Sequence, residues 1–237
     1  MAIEKKNIKD VSTSIRSMYQ KAKGVLDKNE LDYGIELLKQ IVQCDPGFLE
    51  ARDALREAER TRSDKIGAFS KFFAQMKSGK FVVRAKANAA KNAKGALSDV
   101  EEALALYLYS PVALNALADI AKTAGAEFIS VEALEILREK EPDNEPNLVK
   151  LCGIYEDLKD GNNVLKIRQK LADLHPDSLE LQAKVREAAA MATMTGTAWG
   201  VTSSNDENNK KKADEKQGDK IIRAEEDILA EIANAEE

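Results

Sequence analysis

Between Leu148 and Pro176 apolar residues recur with helical spacing twice over. Leu148, Leu151, Cys152 and Tyr155 stand at i, i+3, i+4 and i+7, which puts them on one face of a helix. Val164 and Leu171, seven residues apart, mark the inner face of a second helix, and Pro176 ends it. Two helices this short cannot bury such faces by themselves. Further copies must stack on them, and this requirement constrains the chain more than any other feature.

A second copy lies near the start. Met18, Ala22 and Val25 share one helical face, Asn29-Glu30 makes a turn, and Gly34, Leu38 and Ile41 line the next helix before Asp45-Pro46. Counted back from Pro46, these residues take the slots of their counterparts before Pro176, with Gly34 in a slot that wants a small residue. Pro46, Pro111, Pro142 and Pro176 are separated by 65, 31 and 34 residues. The long gap fits two units with a turn at Ser78-Gly79 in place of one proline. Five units follow, near 15–46, 47–79, 80–111, 112–142 and 143–176. The second fits least well, because Arg56 fills a small-residue slot. Its second helix is still patterned by Ile66, Phe69, Phe73 and Met76, with Phe69 and Phe73 read as core. Ala85, Ala96, Val100, Leu104 and Leu106 pattern the third unit. Leu114, Leu117, Ala118, Ala121, Ser130, Leu134 and Leu137 pattern the fourth.

The sequence resembles tetratricopeptide-repeat proteins over about residues 14–193. The resemblance implies an all-α fold, a right-handed superhelical solenoid of about five helix–turn–helix repeats plus a capping helix. That cap falls at 178–193, with Leu179, Leu181, Val185 and Ala189 on one face. Residues 1–13 form a polar lead-in, 194–218 a flexible polar linker, and 219–237 an acidic amphipathic C-terminal helix with Ile221, Ile222, Ile228, Leu229 and Ile232 on one side. Stability should be near-neighbour in character. The stretch from Met191 to Trp199 is also similar to the end of some uncharacterised bacterial members.

Membership of this kind implies a binding module without naming its partner. Some tetratricopeptide domains grip a C-terminal carboxylate with a five-residue clamp, whose slots fall here on Arg84, Asn88, Asp119, Pro146 and Lys150. Arg84, Asn88 and Lys150 suit the task. Asp119 would repel a carboxylate, and Pro146 has no cation or N–H to offer. Lys91 and Asn115 stand about one helical turn from clamp slots and can contribute instead. The expected partner-binding groove is therefore Arg84, Asn88, Lys91, Asn115 and Lys150, with Trp199, the only tryptophan, as a further anchor.

Charge supports an acidic partner. The chain carries −5 overall, yet residues 60–94 hold ten basic side chains and one acid, Asp64. The leading expectation is a non-enzymatic scaffold or adaptor that takes an extended acidic peptide or helix of another protein in a concave groove. The alternative is an RNA- or ribosome-associated protein using the basic 60–94 segment, with Phe69, Phe72, Phe73 and Phe81 as candidate stacking residues. An anionic membrane surface fits less well, because Ile66 to Met76 suits a core-facing helix. Self-interaction is a further possibility. A linker of about 25 residues reaches on the order of 28 Å, so the acidic C-terminal helix can meet the basic region of its own chain or a neighbour's.

Catalysis is poorly served. The one histidine, His175, sits in a turn slot before Pro176, and no phosphate loop, CxxC or HExxH occurs. No cofactor or metal is expected. Cys44 and Cys152 lie inside apolar patterns without ligand spacing and read as small buried residues. The N-terminal ten residues lack an apolar core and no apolar run reaches membrane-spanning length, so a cytoplasmic location is expected.

Overall fold

The computed structural model describes residues 3–194, and the regular elements among them are all α-helices. They are α1 (Thr13–Asp27), α2 (Leu31–Cys44), α3 (Leu49–Lys65), α4 (Ala68–Asn88), α5 (Ala93–Leu106), α6 (Pro111–Thr123), α7 (Glu127–Lys140), α8 (Glu145–Asp157), α9 (Gly161–Leu174) and α10 (Leu179–Met194). Most consecutive helices within each unit pack on one another, in the manner of a helical repeat. Among the described residues no helix is long and apolar enough to cross a membrane. Trp199, the linker and the C-terminal segment lie outside the described residues.

The chain divides after Leu158 into two units. In the first, α1 pairs with α2, α4 with α5, and α6 with α7, while α8 packs on α7. Helix starts follow capping chemistry. The side chains of Ser12, Asn92, Ser110 and Asn144 accept from the backbone N–H three residues on in α1, α5, α6 and α8. Asn29 and Gly125 turn α1 into α2 and α6 into α7 with φ of 62° and 66°, values that favour Asn and Gly.

The apolar faces read from sequence are the core. Ala22, Leu38 and Ile41 are buried in the first pair, with Met18 and Val25 packed against them. Leu114, Leu117, Ala118, Ala121, Leu134 and Leu137 are buried in the α6–α7 pair. Ser130 is buried there too, and its hydroxyl donates to the Ala118 carbonyl at 2.7 Å, so a polar group crosses the pair without loss. Gly34 faces Leu26 so closely that a Cβ would lie 2.3 Å from a Leu26 methyl carbon, which is why that slot wants a small residue.

The structure differs from expectation over residues 47–111. Ser78-Gly79 makes no turn; it lies inside α4, one helix of 21 residues. Gly costs a helix only about 1 kcal/mol, and the Ser78 hydroxyl donates back to the Gln75 carbonyl, so nothing there forces a break. Pro111 opens α6 at its first turn, behind the Ser110 cap, rather than closing α5. The long proline gap thus holds a lone helix, α3, and one pair, α4–α5. α3 packs on α2; α4 packs on α5 and α6; and α5 packs directly on α2.

Three smaller readings are also corrected. The lead-in is docked rather than frayed: the Lys6 N–H donates to the Gly47 carbonyl at 2.8 Å, the Leu49 N–H donates to the Lys6 carbonyl at 3.0 Å, and Val11 is buried. Cys44, at the end of α2, is exposed; Cys152 is buried as expected. Phe69 and Phe73 are not core residues: both are exposed, and among the described residues nothing covers that face of α4.

In the second unit α9 packs on α10. The buried residues of the cap helix are small, Ala188 and Ala192; Leu181 and Val185 are half-buried, and Leu179 is exposed. His175 caps α9 in an exposed turn, its N–H donating to the Ala172 carbonyl at 3.1 Å.

Candidate functional site

The expected groove residues fall on the first helix of successive pairs and on α8. Arg84 and Asn88 are on α4, Asn115 on α6 and Lys150 on α8, while Lys91 lies in the turn after α4. Asn115 and Lys150 are brought together. The Lys150 ammonium donates to the Asn115 side-chain oxygen at 3.2 Å, and the Asn115 amide donates to the Pro111 carbonyl at 3.0 Å. They share the wall of a pocket of about 280 Å³ between α6, α7 and α8, which also takes in Asn144, Pro146 and Asn147. Asn147 is buried: its amide donates to the Leu134 carbonyl, and among the described residues nothing donates to its side-chain oxygen.

The cations of this surface are partly neutralised from within. Lys150 pairs with Asp119 at 2.6 Å, the clamp slot judged incompatible with a carboxylate. Arg84 is exposed and pairs with Asp99 of α5, whose hydrogen bond and charge raise the guanidinium pKa. Asn88 and Lys91 are exposed at the end of α4. The groove is therefore a mixed polar surface, less basic than the run of residues 60–94 suggested.

The first half of α4 is a second candidate. Phe69 is 77% exposed, Phe72 60% and Met76 67%, and Phe73 is also exposed. Phe73 stacks edge-to-face on both other rings, with centroids at 4.8 Å from Phe69 and 5.8 Å from Phe72. Lys77 and Lys80 lie on the stripe's side of the helix, whereas Lys71 is on the opposite face with the buried Ser78, Val82 and Ala85, and α4 contains no acidic residue.

A third cluster is buried, and the sequence did not announce it. Arg52, Arg56 and Glu59 of α3 meet Glu101 of α5 and Glu132 of α7. Arg52 bonds both Glu132 oxygens, at 2.6 and 3.0 Å, and its other terminal nitrogen reaches Glu101 at 3.2 Å. Arg56 donates to Glu132, to Glu101 at 2.7 Å and to Glu59 at 2.7 Å. Among the described residues nothing donates to the second oxygen of Glu59 or of Glu101.

Three carboxylates bond two guanidiniums; Glu59 and Glu101 are buried, Glu132 keeps 20% of its side chain exposed, and Arg62 adds a weaker positive charge near Glu59. Burial pushes Glu59 up to about 7, and Arg56 opposes that shift only in part. Burial would raise Glu132 as well, but the two guanidiniums outweigh it and bring it down to about 2. Arg56 itself loses to burial and gains more from the three carboxylates, so its pKa rises well above the usual value. The cluster is a clasp that ties α3 to two other helices. The signal that could have found it is the spacing of Arg52, Arg56, Glu59 and Ser63, which share the helical face expected to turn inward.

No family model matches the chain, and no curated protein is similar to it.

Proposed function

We propose that this chain is a non-enzymatic interaction scaffold of tetratricopeptide type, its helix pairs coiled as a right-handed superhelix, that holds a segment of another protein along α4, α6 and α8. The observation that carries the reading is the meeting of Asn115 and Lys150, from two different helices, at the wall of one pocket with the buried Asn147. Fixed polar groups that converge beside an apolar wall are what orients a bound chain. Asn115 can pair with the peptide groups of an extended segment, and Lys150, held between Asp119 and Asn115, is set to exchange Asp119 for a carboxylate of the partner. Arg84, Asn88 and Lys91 extend the surface toward the end of α4. The acidic character of the partner rests on these cations and on the basic run around them, with a cytoplasmic location the natural setting.

The test is capture from native lysate by the full-length protein and by the Arg84→Glu/Lys150→Glu variant, each with and without nuclease. One protein retained by the wild type, lost by the variant and indifferent to nuclease supports the groove. Recovery that depends on nucleic acid, or that ignores both substitutions, removes it.

A further inference from the structure

The first half of α4 has a shape and chemistry that the groove does not use. No residue from 64 to 77 is buried, and the buried positions of α4, Ser78, Val82 and Ala85, all lie in its second half. Its opposite face is half-buried at Lys71 and Ala74, in line with the buried Ser78, Val82 and Ala85, and the stripe points away from it. Phe69, Phe72, Phe73 and Met76 follow i, i+3, i+4 and i+7, so they form one continuous apolar stripe. From Lys65 to Ser98 the chain holds eight lysines and arginines and no acid. Water-exposed aromatic stripes of this kind are costly and call for a cover.

The cover is identified by charge and by shape. A second copy would bring like charge against like charge, since each α4 carries five cations and no anion. Bases of single-stranded nucleic acid stack on open ring faces, but here Phe73 meets both its neighbours edge-to-face and the three rings form one compact wedge. Grooves that seat a partner helix have two walls, and this segment has none. A bilayer needs no wall. Its interface accepts an in-plane helix with a Phe-rich face turned down and lysines spread along the flanks, their stems lying over the acyl boundary and their ammonium groups among the phosphates.

We infer that the first half of α4 is a membrane-surface anchor, with Phe69, Phe72, Phe73 and Met76 entering the interface of an anionic bilayer and Lys77 and Lys80 binding its headgroups. Each lysine near an anionic leaflet adds to an attraction that salt screens, while the rings supply the part that salt does not remove. Neither contribution alone holds a protein firmly, and together they give reversible, lipid-dependent attachment.

Flotation of the full-length protein with phosphatidylcholine vesicles, with and without phosphatidylserine, tests this. Binding is expected to be at least about tenfold tighter to the anionic vesicles and to weaken with salt. A Phe69→Ala/Phe72→Ala/Phe73→Ala variant should lose about tenfold or more in affinity at unchanged thermal stability, because the rings support no core. A Lys77→Glu/Lys80→Glu variant should lose the preference for phosphatidylserine. In a Trp199→Phe background, Phe72→Trp should shift its emission to the blue when anionic vesicles are added. No binding, equal binding by the alanine variant, or an unshifted emission overturns the inference. So does a stripe that binds RNA, or an acidic protein from lysate, in preference to vesicles.

Discussion

Glu59 is the residue whose placement has the most direct consequence. It is fully buried, its partner Arg56 is shared with two other carboxylates, and its pKa is about 7 against an ordinary 4.5. A raised carboxylate is protonated in the folded chain while still ionised in the unfolded one. Its contribution to stability is therefore full below pH 4.5 and is lost as pH rises to about 7. Glu132 works in the opposite sense. With a pKa of about 2 it stabilises the fold above pH 4.5, and that share is lost as pH falls toward 2. Glu59→Gln removes the proton equilibrium and keeps the shape. It should raise Tm by several degrees at pH 8 and change it little at pH 5, read by circular dichroism across that range. A Tm difference that is the same at both pH values would mean that Glu59 is ionised in the folded protein. Arg56→Ala should do the reverse at neutral pH. It leaves Glu101 and Glu132 short of a counter-ion inside the protein, a loss of about 3–5 kcal/mol by urea denaturation.

At the scale of elements, the lead-in and α4 show what was legible in the sequence. The paired faces of α1–α2 and α6–α7 were readable because helical spacing alone decides which side of each helix is buried. Gly34 was readable for the same reason. The 47–111 stretch was not, because its period continued while its packing changed. Phe69, Phe73 and Met76 keep a core spacing, but a periodic face is buried only if a neighbour arrives, and among the described residues none covers it. Arg52 and Arg56 were hidden by the opposite habit, since charged residues are normally at the surface. Asn115 and Lys150 meet, but Lys150 also pairs with Asp119, a contact that no spacing in the sequence foretells. The lead-in was missed because two backbone hydrogen bonds and one buried Val11 leave no periodic trace. Its docking turns on Gly47, where a Cβ would lie 2.0 Å from the Glu4 carbonyl oxygen. That neighbour is backbone and cannot swing aside. Gly47→Ala should thus lift residues 3–10 away and leave the α1–α2 pair in place, which faster tryptic cleavage at Lys5, Lys6 and Lys9 would report. Unchanged cleavage would show that the backbone gives way elsewhere.

At the scale of the whole molecule, the clasp changes how the first unit should come apart. A stack of helix pairs held only by near neighbours can open from either end, one pair at a time. Here Arg52 reaches Glu132 across 80 positions of sequence, and the Leu108 N–H donates to the Ser63 hydroxyl across 45. α3 therefore binds to helices of two later pairs, and neither α5 nor α7 can open without breaking ion pairs to it. Freed in that way, the buried charges would lack partners, which makes a partly open state costlier than it is in an ordinary stack. Amides in the centres of α3, α5 and α7 should exchange with hydrogen isotope at one common free energy, that of global unfolding of residues 3–158. Residues 68–77 should exchange far faster, since none of their side chains is buried. Arg56→Ala should lower protection in α5 and α7 by similar amounts, although they are different elements and Arg56 belongs to neither. If exchange instead slows step by step from one pair to the next, and Arg56→Ala is felt only in α3, the unit opens pair by pair, and the clasp joins surfaces without coupling them.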